Sequence, residues 1–204
     1  MDSIKQLTEL FREFPGIGPR QAKRFAYFLL TRQNGYLNNL SDLIRELKKD
    51  IRVCASCYRF FPLNAHASTI CTICQDDHRD KSQLMILSKD VDFETVEKSH
   101  SYTGLYFILG GTVPILEKEP ERRIRAKELQ SIVEKRSGEI KEIILALSLN
   151  PEGENTEEYV TTLLKPLTEK YNVKVSLLGR GLSTGTELEY SDTETIKNAL
   201  RNRG

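Results

Sequence analysis

What the 204-residue chain lacks narrows its class before any motif is read. No apolar run comes near the roughly 20 residues that a membrane helix requires, so a helical membrane protein is not expected. The opening Met1-Asp2-Ser3-Ile4 has neither the charge nor the apolar stretch of a signal peptide, and the expected compartment is the cytoplasm. Only three histidines are present, and no tyrosine, serine or cysteine stands beside a recognisable base. A strand-cleaving nucleophile is therefore not expected, and no catalytic residue is assigned. The chain has no Gly-Lys-Ser/Thr loop to hold a triphosphate, which argues against ATP hydrolysis. Internal repeats and low-complexity tracts are missing too, and the net charge is only +1.

That near-neutral total hides an asymmetry. Residues 1–60 carry 11 Lys and Arg against 6 Asp and Glu, whereas the remainder carries 19 against 23. A basic head on a mildly acidic body concentrates any phosphate contact near the N-terminus, although charge alone is equally met by a solvated surface.

Apolar spacing predicts a first helix over Ser3–Glu13, ending at Phe14-Pro15-Gly16, and a second from Pro19 to about Arg32. Asn34-Gly35 reads as a break before a third helix from Ser41, its plausible cap, to Asp50. The segment Val53–Arg79 loses periodicity and is too poor in apolar residues to build its own core. Beyond it, strands at Leu84–Leu87, Leu105–Leu109, Ile140–Leu147 and Val173–Leu178 alternate with helices from Phe93, around Arg125–Lys135, from Asn155 and from Thr193. This is the pattern of an α/β fold with a mostly parallel sheet flanked by helices.

Two short motifs carry chemistry. Phe14-Pro-Gly-Ile-Gly-Pro-Arg-Gln-Ala22 joins two helices by a tight turn with two glycines around one apolar residue. Gly16 and Gly18 allow backbone angles closed to other residues and close approach of a ligand, and Ile17 can plug the space between the helices. The second helix then starts with unpaired amides, an anion site beside Arg20, Lys23 and Arg24. A plain helix–helix turn is the alternative. The segment resembles the helix-hairpin-helix of DNA-repair proteins, with Phe14, Gly16, Ile17, Gly18 and Ala22 filling its pattern.

The second motif is the more specific. Cys54-Ala-Ser-Cys57 and Cys71-Thr-Ile-Cys74 are two Cys-x2-Cys knuckles and hold every cysteine in the chain. Together they offer a closed four-thiolate set suited to one structural Zn2+ per chain. Disulfides or a redox pair are disfavoured in a cytoplasmic chain, and His66 and His78, which flank the second knuckle, are spare.

In the α/β half, Tyr102–Gly111, Asn150–Thr156 and Gly179–Tyr190 with Asp192, following the hairpin and knuckles in that order, resemble the RecR family of recombination mediators, and the half itself resembles a Toprim domain. The resemblance spans nearly the whole chain. It implies a helix-hairpin-helix domain at 1–52, a four-cysteine zinc finger at 53–80, a Toprim-like domain at 81–178 and a C-terminal segment at 179–204. It further implies a DNA-binding mediator of recombinational repair that acts with RecO-like and RecF-like partners to load a RecA-type recombinase, and that self-associates as a dimer or tetramer. Gapped, single- or double-stranded DNA would be bound with little sequence preference. Toprim domains commonly bind Mg2+ through a strand-end glutamate and later acids; here Ser88 stands at that glutamate, leaving Asp92, Glu97, Glu152 and Glu154. Asp92 reads equally as a helix cap, Glu97 as a solvated helix residue, and Glu152 and Glu154 as acids at a helix start. The expectation leans against magnesium. A magnesium-dependent Toprim nuclease or primase-like enzyme using Asp92, Glu152 and Glu154 is the competing reading, and a zinc-stabilised protein adaptor is a third.

Overall fold

A computed structural model describes residues 2–63, 68–179, 193 and 195–197. The chain divides into two compact units, residues 1–51 and 52–204.

In the first unit, α1 (Ser3–Arg12) is capped by Asp2, whose carboxylate accepts from the Ile4 amide at 3.0 Å. Helix α2 (Pro19–Leu30) opens with proline, which has no amide hydrogen to leave unbonded in a first turn. Ala22 and Ala26, four residues apart, form its buried stripe, and Phe25 meets Phe11 of α1 edge to face at 5.8 Å. Small residues on this stripe let two backbones approach closely. Helix α3 (Asn34–Asp50) begins earlier than its composition suggests: Asn34 and Gly35 are its first residues, and Ser41 is inside it. The first turn tolerates Asn and Gly because its amides have no intrahelical partner to lose, so the break moves back to Thr31–Gln33.

A two-stranded sheet of β1 (Ile51–Val53) and β2 (Phe60–Pro62) comes next, followed by the one-turn helix α4 (Thr72–Gln75). The main sheet contains β3 (Asp80–Leu87), β4 (Gly104–Ile108), β5 (Glu142–Ala146) and β6 (Lys174–Leu177) in the order β4-β3-β5-β6, every pairing parallel. Between them run α5 (Asp90–Lys98), α6 (Ala126–Lys135) and α7 (Pro151–Tyr171). Alternation along the strands splits the core in two. Leu84 and Ile86 of β3, Leu105 and Phe107 of β4, and Ile143 and Leu145 of β5 share one buried cluster with Leu129 of α6 and Val160 and Leu164 of α7. Met85, Leu87, Tyr106 and Ile108 share the other with Phe93 of α5. Helices thus cover both faces, as the strand–helix alternation predicts. Of the last helix, residues 193 and 195–197 are helical; Gly179 is described, and the rest of Gly179–Tyr190, with Asp192, lies outside the described residues. No helix among the described residues is long and apolar enough to cross a membrane.

Helix α7 starts four residues before Asn155, because Asn150-Pro151 is a strong start signal: the Asn150 side chain accepts from the Gly153 amide at 2.8 Å, and Pro151 is first in the helix. Gly153 is buried, and a β-carbon placed on it would lie 1.9 Å from the Ser148 carbonyl oxygen. In an ordinary helix, Gly→Ala stabilises by about 1 kcal/mol. Here the sign reverses: Gly153→Ala is expected to destabilise the chain by about 1–3 kcal/mol in urea unfolding, since the clash is with backbone, and a neutral or stabilised variant would refute the close approach.

Candidate nucleic-acid interface and metal centre

The first knuckle turns between β1 and β2. The Cys54 amide donates to the Arg59 carbonyl at 2.9 Å, and Tyr58, at φ +61°, donates its amide to the Cys54 carbonyl at 3.0 Å. The second knuckle forms the start of α4, where the Cys74 amide donates to the Cys71 carbonyl at 3.1 Å. The four sulfurs lie within 4.8 Å of one another, and Cys57 Sγ is 3.7 Å from Cys71 Sγ. A tetrahedron of sulfurs about 2.3 Å from a central zinc has edges of about 3.8 Å, so the donor set fits such an ion. Cys54, Cys57 and Cys71 are fully buried. Crowding makes the thiols share protons: hydrogen bonding from Cys57 drives the Cys54 thiol far below its ordinary range, and the same contact pushes Cys57 far above it. Four thiolates at this spacing need a cation.

Amides support the cluster, with the Ser56 and Cys71 N–H groups pointing at Cys54 Sγ at 3.4 and 3.3 Å. Sequence reasoning missed Arg59. Burial alone would lower its pKa, but hydrogen bonding to Cys71 and the nearby sulfur charge raise it, and its guanidinium also sits 4.8 Å from the Phe93 ring centre. Its place two residues after Cys57 was the available signal, since a cation beside a thiolate cluster offsets excess negative charge. His78 is exposed, and His66 lies outside the described residues.

The hairpin is built as its residues suggest, with one correction. Gly16 has φ +76°, the left-handed region, whereas Gly18 has φ −81°, which any residue adopts. Around both, a β-carbon would meet nothing within 4 Å, so the turn is open to solvent. Half-buried Ile17 donates its amide to the Phe14 carbonyl at 3.1 Å. The first bond closing α2 runs from the Ala22 amide to the Gly18 carbonyl at 3.0 Å, and no side chain caps that end. The amides of Arg20 and Gln21 thus precede the helical ladder, and Arg20, Lys23 and Arg24 are exposed on the same helix.

The Toprim-like acids do not converge. Among the described residues, the four cysteines form the only His/Cys/Asp/Glu cluster able to hold a metal ion. Asp92 accepts from the Lys89 amide at 3.0 Å as part of a capping box. Glu152, near the start of α7, accepts from Thr112 Oγ1 at 3.0 Å, and Glu154 lies in the same first turn. Ser88 is buried, and its hydroxyl makes no hydrogen bond. Glu97 is not a solvated residue: it pairs with Arg79 and accepts from Tyr106 Oη at 2.8 Å. Burial alone would raise its pKa, and these two hydrogen bonds outweigh it, holding the carboxyl below its ordinary range. Tyr102 and Tyr106 are core residues whose phenols burial pushes above their usual range, and Tyr190 lies outside the described residues.

Two family models match this chain: "RecR, helix-hairpin-helix" over residues 4–48 and "Toprim domain" over residues 82–179. Curated relatives named "Recombination protein RecR" match nearly end to end. One from Bifidobacterium animalis subsp. lactis is 37% identical over 202 residues, covering 98% of this chain and 95% of the relative. Another from Dehalococcoides mccartyi is 34% identical, covering 98% and 93%. A third from Lactococcus lactis subsp. cremoris is 32% identical, covering 99% and 96%.

Two outcomes follow from this geometry. Metal analysis of freshly reduced protein is expected to give about one ion per chain, with Cys57→Ala abolishing it and lowering the melting temperature; full stability without metal would remove the metal centre. Because the folded pKa of Glu97 is depressed, its contribution to stability is present above the unfolded value of about 4.3 and lost as pH falls through the folded value. Glu97→Gln should therefore lower stability at pH 7 and flatten its fall on acidification below about pH 5, measured by urea titration across pH.

Proposed function

This chain belongs to the RecR family of recombination proteins, and from that premise we propose that it is a non-enzymatic mediator of recombinational repair that binds DNA through the α1–α2 hairpin. The observation that carries the reading is the open turn at Gly16–Gly18, followed by uncapped α2 amides with Arg20, Lys23 and Arg24 exposed beside them. Helix-terminal amides and the helix dipole favour a phosphate, and three cations add charge without reading base edges. Binding should therefore show little sequence preference.

In this reading, DNA is held while a RecO-like or RecF-like partner and a RecA-type recombinase exchange on gapped or single-stranded DNA, and no bond is broken. The chain acts as a homo-oligomer, a dimer or tetramer. Cys54, Cys57, Cys71 and Cys74 would hold one Zn2+, which orders residues 53–80 and supplies no reaction step. A magnesium enzyme is disfavoured: Ser88 offers a hydroxyl where a carboxylate would bind, and Asp92 and Glu152 are already engaged within the fold.

Fluorescence anisotropy on labelled gapped DNA with magnesium, titrated with salt, tests the reading. The native chain should bind more weakly as salt rises and leave the DNA intact. An Arg20→Ala, Lys23→Ala, Arg24→Ala variant should lose affinity, with the slope of log affinity against log salt falling by about 2 to 3. Magnesium-dependent cleavage would establish the enzyme instead, and DNA affinity indifferent to the three cations would move the interface elsewhere.

A further inference from the structure

Helix α2 presents more than phosphate-binding charge. Arg20, Lys23, Arg24, Tyr27, Phe28 and Thr31 recur at intervals of three and four, forming one stripe that lines a shallow groove of about 560 Å³. The opposite stripe, Ala22 and Ala26, is buried. Cations occupy the N-terminal part of the groove and aromatic rings the C-terminal part. Tyr27 is 50% and Phe28 43% exposed, a high figure for rings in a helix that has a core available to it. Lys23 Nζ lies 5.9 Å from the Tyr27 ring centre, and the Arg32 guanidinium lies over Phe28 at 4.0 Å. Arg20 and Phe28, eight residues apart, are separated by about 12 Å along the axis, room for more than one nucleotide of an extended strand.

We propose that this groove is a single-strand subsite, in which Arg20, Lys23 and Arg24 hold the backbone and Tyr27, with Phe28 beside it, stacks an unpaired base. The inference rests on the reading of α2 as the DNA-binding helix and adds what kind of DNA it prefers. Charge complementarity selects a polyanion as the occupant. The rings then discriminate among polyanions, because in a duplex each base already stacks on its neighbours and offers no free face, whereas a single strand does. Phosphate contacts serve both forms alike. The Arg32 guanidinium covers part of Phe28, so Tyr27 is the main platform.

The test uses the full-length chain with labelled oligo(dT) and with a duplex of equal length, each in anisotropy titrations at fixed salt, alongside light-scattering mass. Tyr27→Leu/Phe28→Leu is expected to weaken oligo(dT) binding at least about 5-fold and leave duplex binding within about 2-fold, while Tyr27→Phe, which keeps the ring, retains native single-strand affinity. Neither ring belongs to the buried core, and since Phe28 also meets Tyr36 edge to face at 6.3 Å, circular dichroism and urea unfolding check that the leucine variant keeps its fold. Equal losses on both DNAs, or none, would overturn the stacking proposal while leaving the charge-based interface intact if Arg20→Ala/Lys23→Ala/Arg24→Ala still loses DNA. Full DNA affinity in that cation variant would sink the underlying reading instead. A change in oligomeric mass on removing the rings would assign the face to a second copy of the chain and also overturn the proposal.

Discussion

Four sulfur atoms held within 4.8 Å of one another are the constraint that gathers the two cysteine knuckles and ties them to the main sheet. The sequence of residues 53–79 is poor in apolar side chains, and Cys54, Cys57 and Cys71 form a small buried cluster there with Phe61. Their knuckle is also fastened to the sheet. The Cys57 carbonyl accepts from the Ile108 amide at 2.8 Å at the end of β4, and the Tyr58 carbonyl accepts from Arg125 at 2.8 Å just before α6. Asp90, at the start of α5, takes the Phe60 amide at 2.7 Å. The cluster therefore fixes the positions of a strand end and two helix starts, and an ion in it would stabilise far more than one loop.

The α/β half keeps a Toprim-like sheet while its acidic residues serve the fold. Glu152 holds the loop that follows β4 through Thr112, and Thr156 and Asn155 in the same motif bind the backbone of Val113 at 2.8 and 2.9 Å. The stretches Tyr102–Gly111 and Asn150–Thr156 are thus parts of one region, because the loop that leaves β4 is tied down by the first turns of α7. Glu97 joins Arg79 and Tyr106 in a half-buried network at the edge of the sheet. A carboxylate whose lone pairs are occupied by such donors is poorly placed to gather a divalent cation, which prefers several free oxygens in fixed geometry. Ser88, just after β3, is buried and offers a hydroxyl rather than a carboxylate.

The first unit solves a different problem. In α2, Ala22 and Ala26 are buried and Phe25 meets Phe11 of α1, while Arg20, Lys23, Arg24, Tyr27 and Phe28 are on its exposed side. With its buried stripe made of small residues, the helix keeps Arg20, Lys23, Arg24 and Tyr27 exposed. Local shape and function are coupled here: the left-handed Gly16 makes the turn, the turn frees the helix terminus, and the stripe begins at that terminus.

By itself the sequence determined the alternation of strands and helices in the α/β half, the parallel character of its sheet, the hairpin and the grouping of the four cysteines, but not β1, β2 and α4, which lie in a stretch without periodicity. Each is a local signal: periodicity, a proline or asparagine at a helix start, or a paired cysteine spacing suited to one tetrahedral ion. Boundaries were less legible, as Asn34 and Asn150 show, because caps and first turns tolerate residues that read as breaks. Tertiary structure alone decided which acids are free and which are engaged. Glu97 reads as a solvated helix residue until Arg79 and Tyr106 arrive from elsewhere in the chain, and Arg59 has no evident role until Cys71 is folded against it. It also decided that Tyr27 and Phe28 face outward, since the rings could equally have packed inward had Ala22 and Ala26 not taken that face. The physical reason is common to all three: hydrogen bonds, charge compensation and burial depend on distance in space, and spacing along one chain reports that distance only within a helix turn or a strand.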